Sequence, residues 1–199
     1  MTGIIEKIRN LTEDLLITTG KDNYTYESSL SSKVIPLTGS NVVESTIKVY
    51  KNGSLWADSN YSYDSDTGQL TVTGSLTIGD NLLITYSYYL KYSDTELKGY
   101  SKAAFSYISV EKYKTFVEKT NDIIFPTPSE EEENLIAIIA SILIKGDIRS
   151  YRTPELNVTF NDSDSKEIKI RKVVRQFKKT YGYTNYIELD KTVVNEEDC

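Results

Sequence analysis

Histidine is absent from this chain of 199 residues, and cysteine occurs once, as the final residue Cys199. Without histidine, the Ser-His-Asp and Cys-His nucleophilic arrangements, His-ligated zinc and the usual general base near neutral pH are excluded. A single cysteine excludes an intrachain disulfide and argues strongly against a Cys-ligated metal. We therefore expect no catalytic residues, no metal site and no cofactor, and a protein that is not an enzyme.

The chain also lacks long apolar segments and a positive net charge. Its longest apolar run, residues 135–144, is about half the length of a membrane span. Residues 1–7 have no basic region followed by an apolar one, so no signal peptide is predicted. The 23 basic and 29 acidic residues give a net charge of −6, which argues against a surface that binds nucleic acid throughout. We expect a protein without a membrane partner, made in a reducing cytoplasm.

The hydrophobic periodicity changes twice along the chain, from helical spacing to alternation and back again. This pattern predicts an α+β fold: a helical bundle domain that carries an inserted small antiparallel β-sandwich or barrel domain, followed by an extended C-terminal tail. The predicted boundaries are 1–20 and 92–182 for the helical domain, 21–91 for the β domain and 183–199 for the tail.

Turn and cap signals support these elements. Asn52-Gly53 lies between alternating segments and predicts a hairpin, because both residues tolerate positive φ. Ser93-Asp94-Thr95-Glu96 fits a capping box at the start of a helix. Ser129 opens a third helix, whose apolar run is expected to be the buried centre of the helical domain. A fourth helix is expected to start at Asp162 or Ser163 and to end at Gly182.

Two acidic clusters have both a functional and a structural interpretation. Glu130 to Glu133 could be a carboxylate cluster for a metal, but consecutive helical residues point about 100° apart and cannot converge on one ion. A solvated first helical turn, stabilised by the helix dipole, is the preferred interpretation. Asp64 to Gly68 places carboxylates at positions 1 and 3 of a calcium-like loop, yet it lacks the remaining ligands. A hairpin turn is preferred there.

The fourth helix is rich in cations. Its basic residues recur at intervals of three, so they are expected to share a face that could contact phosphate. The alternative is a solvated or protein-facing surface opposite the apolar stripe, which the acidic overall charge favours. The candidate residues are Lys166, Lys169, Lys172, Arg175 and Lys179.

The tail alternates apolar and polar residues from Tyr183 to Asp190, as a β-strand does. It could return to the sheet of its own chain or add to the sheet edge of a neighbouring chain. From residue 182 onward it holds five acids and one lysine, a net charge of −4, which favours a basic partner surface. The candidate contact residues are Tyr183, Tyr186, Ile187, Leu189, Val193 and Val194.

Three stretches together resemble the head-to-tail connector proteins of tailed bacteriophages, also called adaptor or head-completion proteins. The first stretch is the short amphipathic N-terminal helix, and the third is the run of helices after Ser93. The second is the strand series in residues 42–53, 61–72 and 79–86.

This resemblance implies a structural virion protein at the head–tail interface, assembled in the cytoplasm of the bacterial host. It would form a ring of about twelve copies below the portal protein, around a channel crossed by viral DNA during ejection. The tail would reach the portal, and the basic helix would face the portal or the DNA channel. The opposite face of the ring would receive a downstream tail or stopper protein, and the β domain could attach tail fibres.

Two other classes of function stay open. The tyrosine-rich sheet is compatible with a carbohydrate- or protein-binding surface module, although the missing signal peptide argues against secretion. A metal-dependent hydrolase that uses carboxylates alone is the third class, and no pair of acids has convincing spacing for it.

Overall fold

The computed structural model describes residues 1–27, 33–152 and 156–181, which form four α-helices, three 3-10 helices of one turn each and eleven strands. The helices are α1 (Thr2–Thr12), α2 (Asp94–Val110), α3 (Glu130–Ile144) and α4 (Lys166–Tyr181). The strands are β1 (Leu16–Thr25), β2 (Val34–Pro36), β3 (Lys48–Lys51), β4 (Ser54–Leu55), β5 (Tyr61–Asp64), β6 (Gln69–Val72), β7 (Asn81–Tyr89), β8 (Val117–Lys119), β9 (Ile123–Phe125), β10 (Ser150–Arg152) and β11 (Asn157–Thr159).

The predicted α+β class, a helical bundle with one inserted β-sandwich or barrel and an extended tail, is wrong. The fold is mixed, with about 39% helix and 29% strand and several small antiparallel sheets. Two of these sheets lie between the later helices, where β8 pairs with β9 and β10 pairs with β11. Each of these strands has three residues, which is too short for a period of two to be recognised in the sequence. The predicted tail, 183–199, lies outside the described residues.

The helical body comprises residues 1–14, 92–152 and 156–181, and α3 lies at its centre. The α3 residues from Leu135 to Ile142 are all buried, as the sequence predicted for the third helix. α1, α2 and α4 each pack against α3. β9 and β11 close the same core with Ile124 and Val158. Capping boxes begin both α2 at Ser93 and α3 at Ser129, which confirms these two helix starts.

The β lobe comprises residues 16–27 and 33–90 and has a hydrophobic cluster of its own. One sheet has the order β1-β7-β3-β4, and a three-stranded sheet has the order β2-β6-β5. Both contribute to one cluster through buried residues such as Leu70 and Ile84. The predicted hairpin at Asn52-Gly53 is confirmed: β3 pairs with β4, and the two turn residues have φ of 50° and 83°.

The first helix covers only part of the segment 1–20 that was assigned to the helical domain. α1 ends at Thr12, and Glu13 follows in the left-handed conformation with φ 54°. The chain then enters β1, which pairs antiparallel with β7. Leu15 and Leu16 continue the helical spacing in sequence but are 67% and 44% exposed. Pairing with β7 therefore outweighs the amphipathic pattern beyond Thr12.

A buried arginine joins the helical body to the β lobe. Arg9 of α1 bonds Asp14 through Nη1, and its Nη2 lies 2.6 Å from Asp94 Oδ1. Its guanidinium carbon lies 3.5 Å from the centre of the Tyr89 ring. Asp14 in turn accepts the backbone N–H of Lys91 at 3.0 Å. The chain passes from one part to the other twice, near Asp14 and near Lys91. The cluster contacts both of these connections and holds them together.

Candidate interaction surface

Helix α4 is the last described element and carries the cationic candidates. Its apolar residues repeat at helical spacing and bury one side against the core. Its charged residues therefore lie on the flanks and on the outer side. The buried side comprises Ile170, Val173, Val174 and Phe177.

Two of the five candidate cations cap α3. Lys166 Nζ donates to the carbonyl of Leu143 at 2.5 Å. Lys169 is 3% exposed, and its Nζ donates to the carbonyls of Gly146 and Ile148 at 2.7 and 2.9 Å. Carbonyls at and beyond a helix C-terminus have no intrahelical donor and carry partial negative charge. These two lysines are therefore used inside the fold.

Lys172 is held by an ion pair. Its Nζ lies 2.6 Å from Asp164 Oδ2 in the turn before α4. The hydrogen bond from Lys172, followed by one from the Asn161 backbone N–H, holds the pKa of Asp164 below its ordinary value. Lys172 therefore stabilises the turn that precedes its own helix.

The five candidates do not share one exposed face. Each step of three residues turns about 60° short of a full revolution, so three steps place Lys166 and Arg175 on opposite sides of the helix. Lys169 falls on the buried flank as a result. Arg175 and Lys179 are exposed and have no hydrogen-bond or ion-pair partner among the residues that the structure describes. These two stay candidates for contact with a portal or with DNA.

The end of α4 lies beside the loop that follows α2. The Tyr181 ring is 4.6 Å from the Phe177 ring, and Phe177 meets Tyr113 edge-on at 5.5 Å between centroids. Lys178 Nζ also donates to the carbonyl of Glu111. The chain therefore leaves the described fold next to residues 111–113. The candidate tail residues Tyr183, Tyr186, Ile187, Leu189, Val193 and Val194 lie outside the described residues.

The four glutamates at the start of α3 differ in their burial. Glu132 is 6% exposed, and its carboxylate accepts from Lys114 Nζ at 2.9 and 3.0 Å and from Tyr113 OH at 3.1 Å. Its Oε2 also accepts the Ser129 backbone N–H, which closes the capping box. Burial first, and then the Glu132 charge, raises the pKa of Tyr113 above its ordinary value. Glu132 is therefore a buried anchor, whereas the sequence predicted four solvated carboxylates.

Sequence reasoning missed an open groove of about 580 Å³ between α2 and β8. Its lining includes the rings of Phe105 and Phe116, which are 5.8 Å apart, and the rim residues Val110 and Val117. Val110 is 73% exposed and Val117 is 47% exposed. The signal in the sequence was Val110, an apolar residue at the end of α2 that lies outside the buried side of that helix.

The described residues contain neither a membrane-spanning helix nor a cluster of metal ligands. Within residues 1–27, 33–152 and 156–181, no helix combines the length and the apolar content needed to cross a membrane. In the same ranges, no three acidic or cysteine side chains come together as a metal site would require. The Asp64 turn is a hairpin turn, in which the carboxylate accepts the backbone N–H groups of Asp66 and Thr67.

No family model matches the chain, and no curated protein matches it.

Proposed function

We propose that this protein is a structural adaptor of a tailed bacteriophage. Copies of the chain form a ring between the portal and a downstream tail or stopper protein, and viral DNA crosses the channel of that ring. The tail after α4 makes the portal contact, with Arg175 and Lys179 as cations near its origin.

The observation that carries this proposal is the completion of the helical core before the tail begins. Phe177 is 2% exposed and stacks between Tyr113 and Tyr181 at the last turn of α4. Among the described residues, the helical core is therefore filled up to the last turn of α4. Seventeen residues with a net charge of −4 follow Gly182, and the first eight of them alternate as a strand does, which suits a segment whose partner is another protein.

A second observation is the firm connection between the two parts of the molecule. Each part has its own hydrophobic cluster, and the buried Arg9 with Asp14 joins them at both chain crossings. A ring subunit must transmit load between neighbours, so a fixed junction suits this role better than a flexible linker does.

The test is truncation after Gly182, assayed against the portal protein from the same genome. We expect the truncated chain to keep a melting temperature within a few degrees of the full chain, because the core is complete. We also expect it to lose co-sedimentation with the portal, whereas the full chain with Cys199→Ser, as the matched control, keeps it.

Two outcomes would contradict the proposal. Retained binding by the truncated chain would place the portal contact elsewhere, with Arg175 and Lys179 as the next residues to substitute. If neither the full chain nor the truncated one binds the portal or forms a ring with it, the adaptor assignment is wrong.

A further inference from the structure

The turn between β3 and β4 combines a reactive sequence with an open surrounding. In an asparagine-glycine pair, the glycine backbone nitrogen can attack the side-chain amide carbon of the asparagine, because no Cβ hinders the approach. Asn52-Gly53 is the only such pair in the sequence. Among the described residues, no atom beyond the chain neighbours lies within 4 Å of the place that a Cβ would take at Gly53. Asn52 is exposed, so solvent water reaches the turn.

Deamidation of this pair takes place in two steps. The Gly53 nitrogen gives up its proton to solvent base and forms a bond to Asn52 Cγ, and the side-chain nitrogen leaves as ammonia. Water then opens the cyclic succinimide at either of its carbonyl groups, which yields aspartate or isoaspartate at position 52. Water is the only co-reactant, and no group is oxidised or reduced. The reaction replaces a neutral amide with a carboxylate.

The fold engages both ends of the Asn52 side-chain amide. Nδ2 donates to Asp80 Oδ1 at 2.8 Å, and Oδ1 accepts the Asn81 backbone N–H at 2.9 Å. The Asn52 backbone N–H also donates to the Asn81 carbonyl, at 2.8 Å. Ring closure would move Cγ onto the Gly53 nitrogen and expel Nδ2. Both side-chain hydrogen bonds must therefore break before the first step can be completed.

The acceptor for Nδ2 is itself held in place. Asp80 is 8% exposed. Its Oδ2 accepts the Thr77 backbone N–H at 2.6 Å and lies 2.8 Å from Lys51 Nζ. Because Asp80 has these further partners, it cannot follow the amide of Asn52 when that amide turns away. The hydrogen bond to Asp80 therefore restrains the amide.

We propose that Asn52 is a deamidation site that the closed β lobe protects through Asp80 and the Asn81 backbone. The reaction proceeds from molecules in which the turn has opened locally, so its rate reports that opening. A carboxylate at position 52 cannot donate the hydrogen bond that Nδ2 makes, and it repels Asp80. The modified turn therefore cannot regain its original contacts. This inference goes beyond the adaptor function and does not depend on it.

Peptide mapping of the full chain by mass spectrometry tests the protection. The native chain and the same chain in guanidinium chloride are kept at one mildly alkaline pH, and conversion of Asn52 is followed with time. We expect conversion to be about fiftyfold slower in the native chain, because one neutral and one charge-assisted hydrogen bond hold the amide. Both aspartate and isoaspartate peptides should form, as opening of a succinimide requires.

Asp80→Ala removes the acceptor for Nδ2. We expect Asn52 to convert about tenfold faster in this variant than in the unaltered chain, at a temperature where Trp56 fluorescence still reports a folded lobe. Asp66→Ala is the matched control, since Asp66 is an exposed turn aspartate of the same lobe, and it should leave the rate unchanged. Asp80→Asn keeps an oxygen acceptor and should retain most of the protection.

Three results would overturn the inference. Equal rates in the native and denatured chains would show that the fold gives no protection, and absence of conversion in the denatured chain would show that Asn52 is not a site. A folded Asp80→Ala variant with the unaltered rate would show that Asp80 does not hold the amide. If Asp80→Ala does not fold, the native and denatured rates of the unaltered chain decide. None of these measurements includes the portal, so their outcome is separate from that of the adaptor proposal.

Discussion

The helical body and the β lobe satisfy their polar groups in different ways. In the helical body, both ends of α3 are completed by lysines from other elements: Lys114 reaches Glu132 at its start, and Lys166 caps Leu143 at its end. In the β lobe, the turn at Asp64 is closed by its own aspartate, which accepts from the backbone N–H groups of Asp66 and Thr67. The two ends of α3 therefore depend on contacts between distant segments, whereas the Asp64 turn depends on local sequence.

The largest expected effect tests whether the two hydrophobic clusters are independent. Ile139 is completely buried in α3, so Ile139→Asp would bury an unpaired carboxylate. We expect a loss of more than about 4 kcal/mol, enough to unfold the helical body. Thermal melts monitored by circular dichroism should lose the helical signal, while the fluorescence of Trp56, which packs in the β lobe, should still report a folded environment.

The control for this variant is Ile168→Asp, since Ile168 is 45% exposed near the start of α4. Its free energy of unfolding should change by less than about 0.5 kcal/mol. If Trp56 reports unfolding together with the helices in Ile139→Asp, the two clusters form a single cooperative unit. An unchanged melting temperature in Ile139→Asp would contradict the central position of α3.

An effect of intermediate size separates the carboxylates at the start of α3. Glu132→Ala removes the acceptor for Lys114 and Tyr113 and should cost about 1–3 kcal/mol, because these partly buried donors lose their partner. Glu130→Ala, at the first exposed position of the same helix, should cost only a few tenths of a kcal/mol through the helix dipole. Urea unfolding measures both changes, and equal costs would contradict the assignment of Glu132 as a buried anchor.

The smallest expected effect concerns acid and the β lobe. Hydrogen bonds from Lys51, the Thr77 backbone N–H and Asn52 hold the pKa of Asp80 at about 2, whereas the unfolded value is about 3.9. Because the folded-state pKa is depressed, the stabilisation is complete above about pH 4 and is lost as the pH falls towards 2. Urea midpoints from Trp56 fluorescence should therefore differ between the wild type and Asp80→Asn at pH 6 and converge near pH 2.

Asp66→Asn is the control for this measurement, because Asp66 is an exposed turn residue of the same lobe. Its urea midpoint should follow that of the wild type at both pH values. A difference between wild type and Asp80→Asn that persists at pH 2 would show that the carboxylate charge is not the source of the stabilisation.

The sequence by itself determined the features whose causes are local. Asn52 and Gly53 specify a hairpin because that turn needs positive φ at both positions. Ser93 and Ser129, each followed by glutamate three residues later, specify two helix starts through capping boxes. The apolar run of α3 could be recognised as a buried centre because it surrounds most of the helix circumference.

Only the tertiary structure decided the features whose partners are distant in the chain. Helix α1 ends at Thr12 because β7, some seventy residues later, pairs with the segment that follows. Lys169 became a buried cap because the carbonyls of Gly146 and Ile148 lie beneath it. The groove beside β8 exists because α2 and the segment from Thr115 to Glu118 line it together, and no local pattern encodes that packing. The periodicity of the sequence predicts which face of an element a side chain occupies. The role of that side chain depends on which residues the fold packs next to that face.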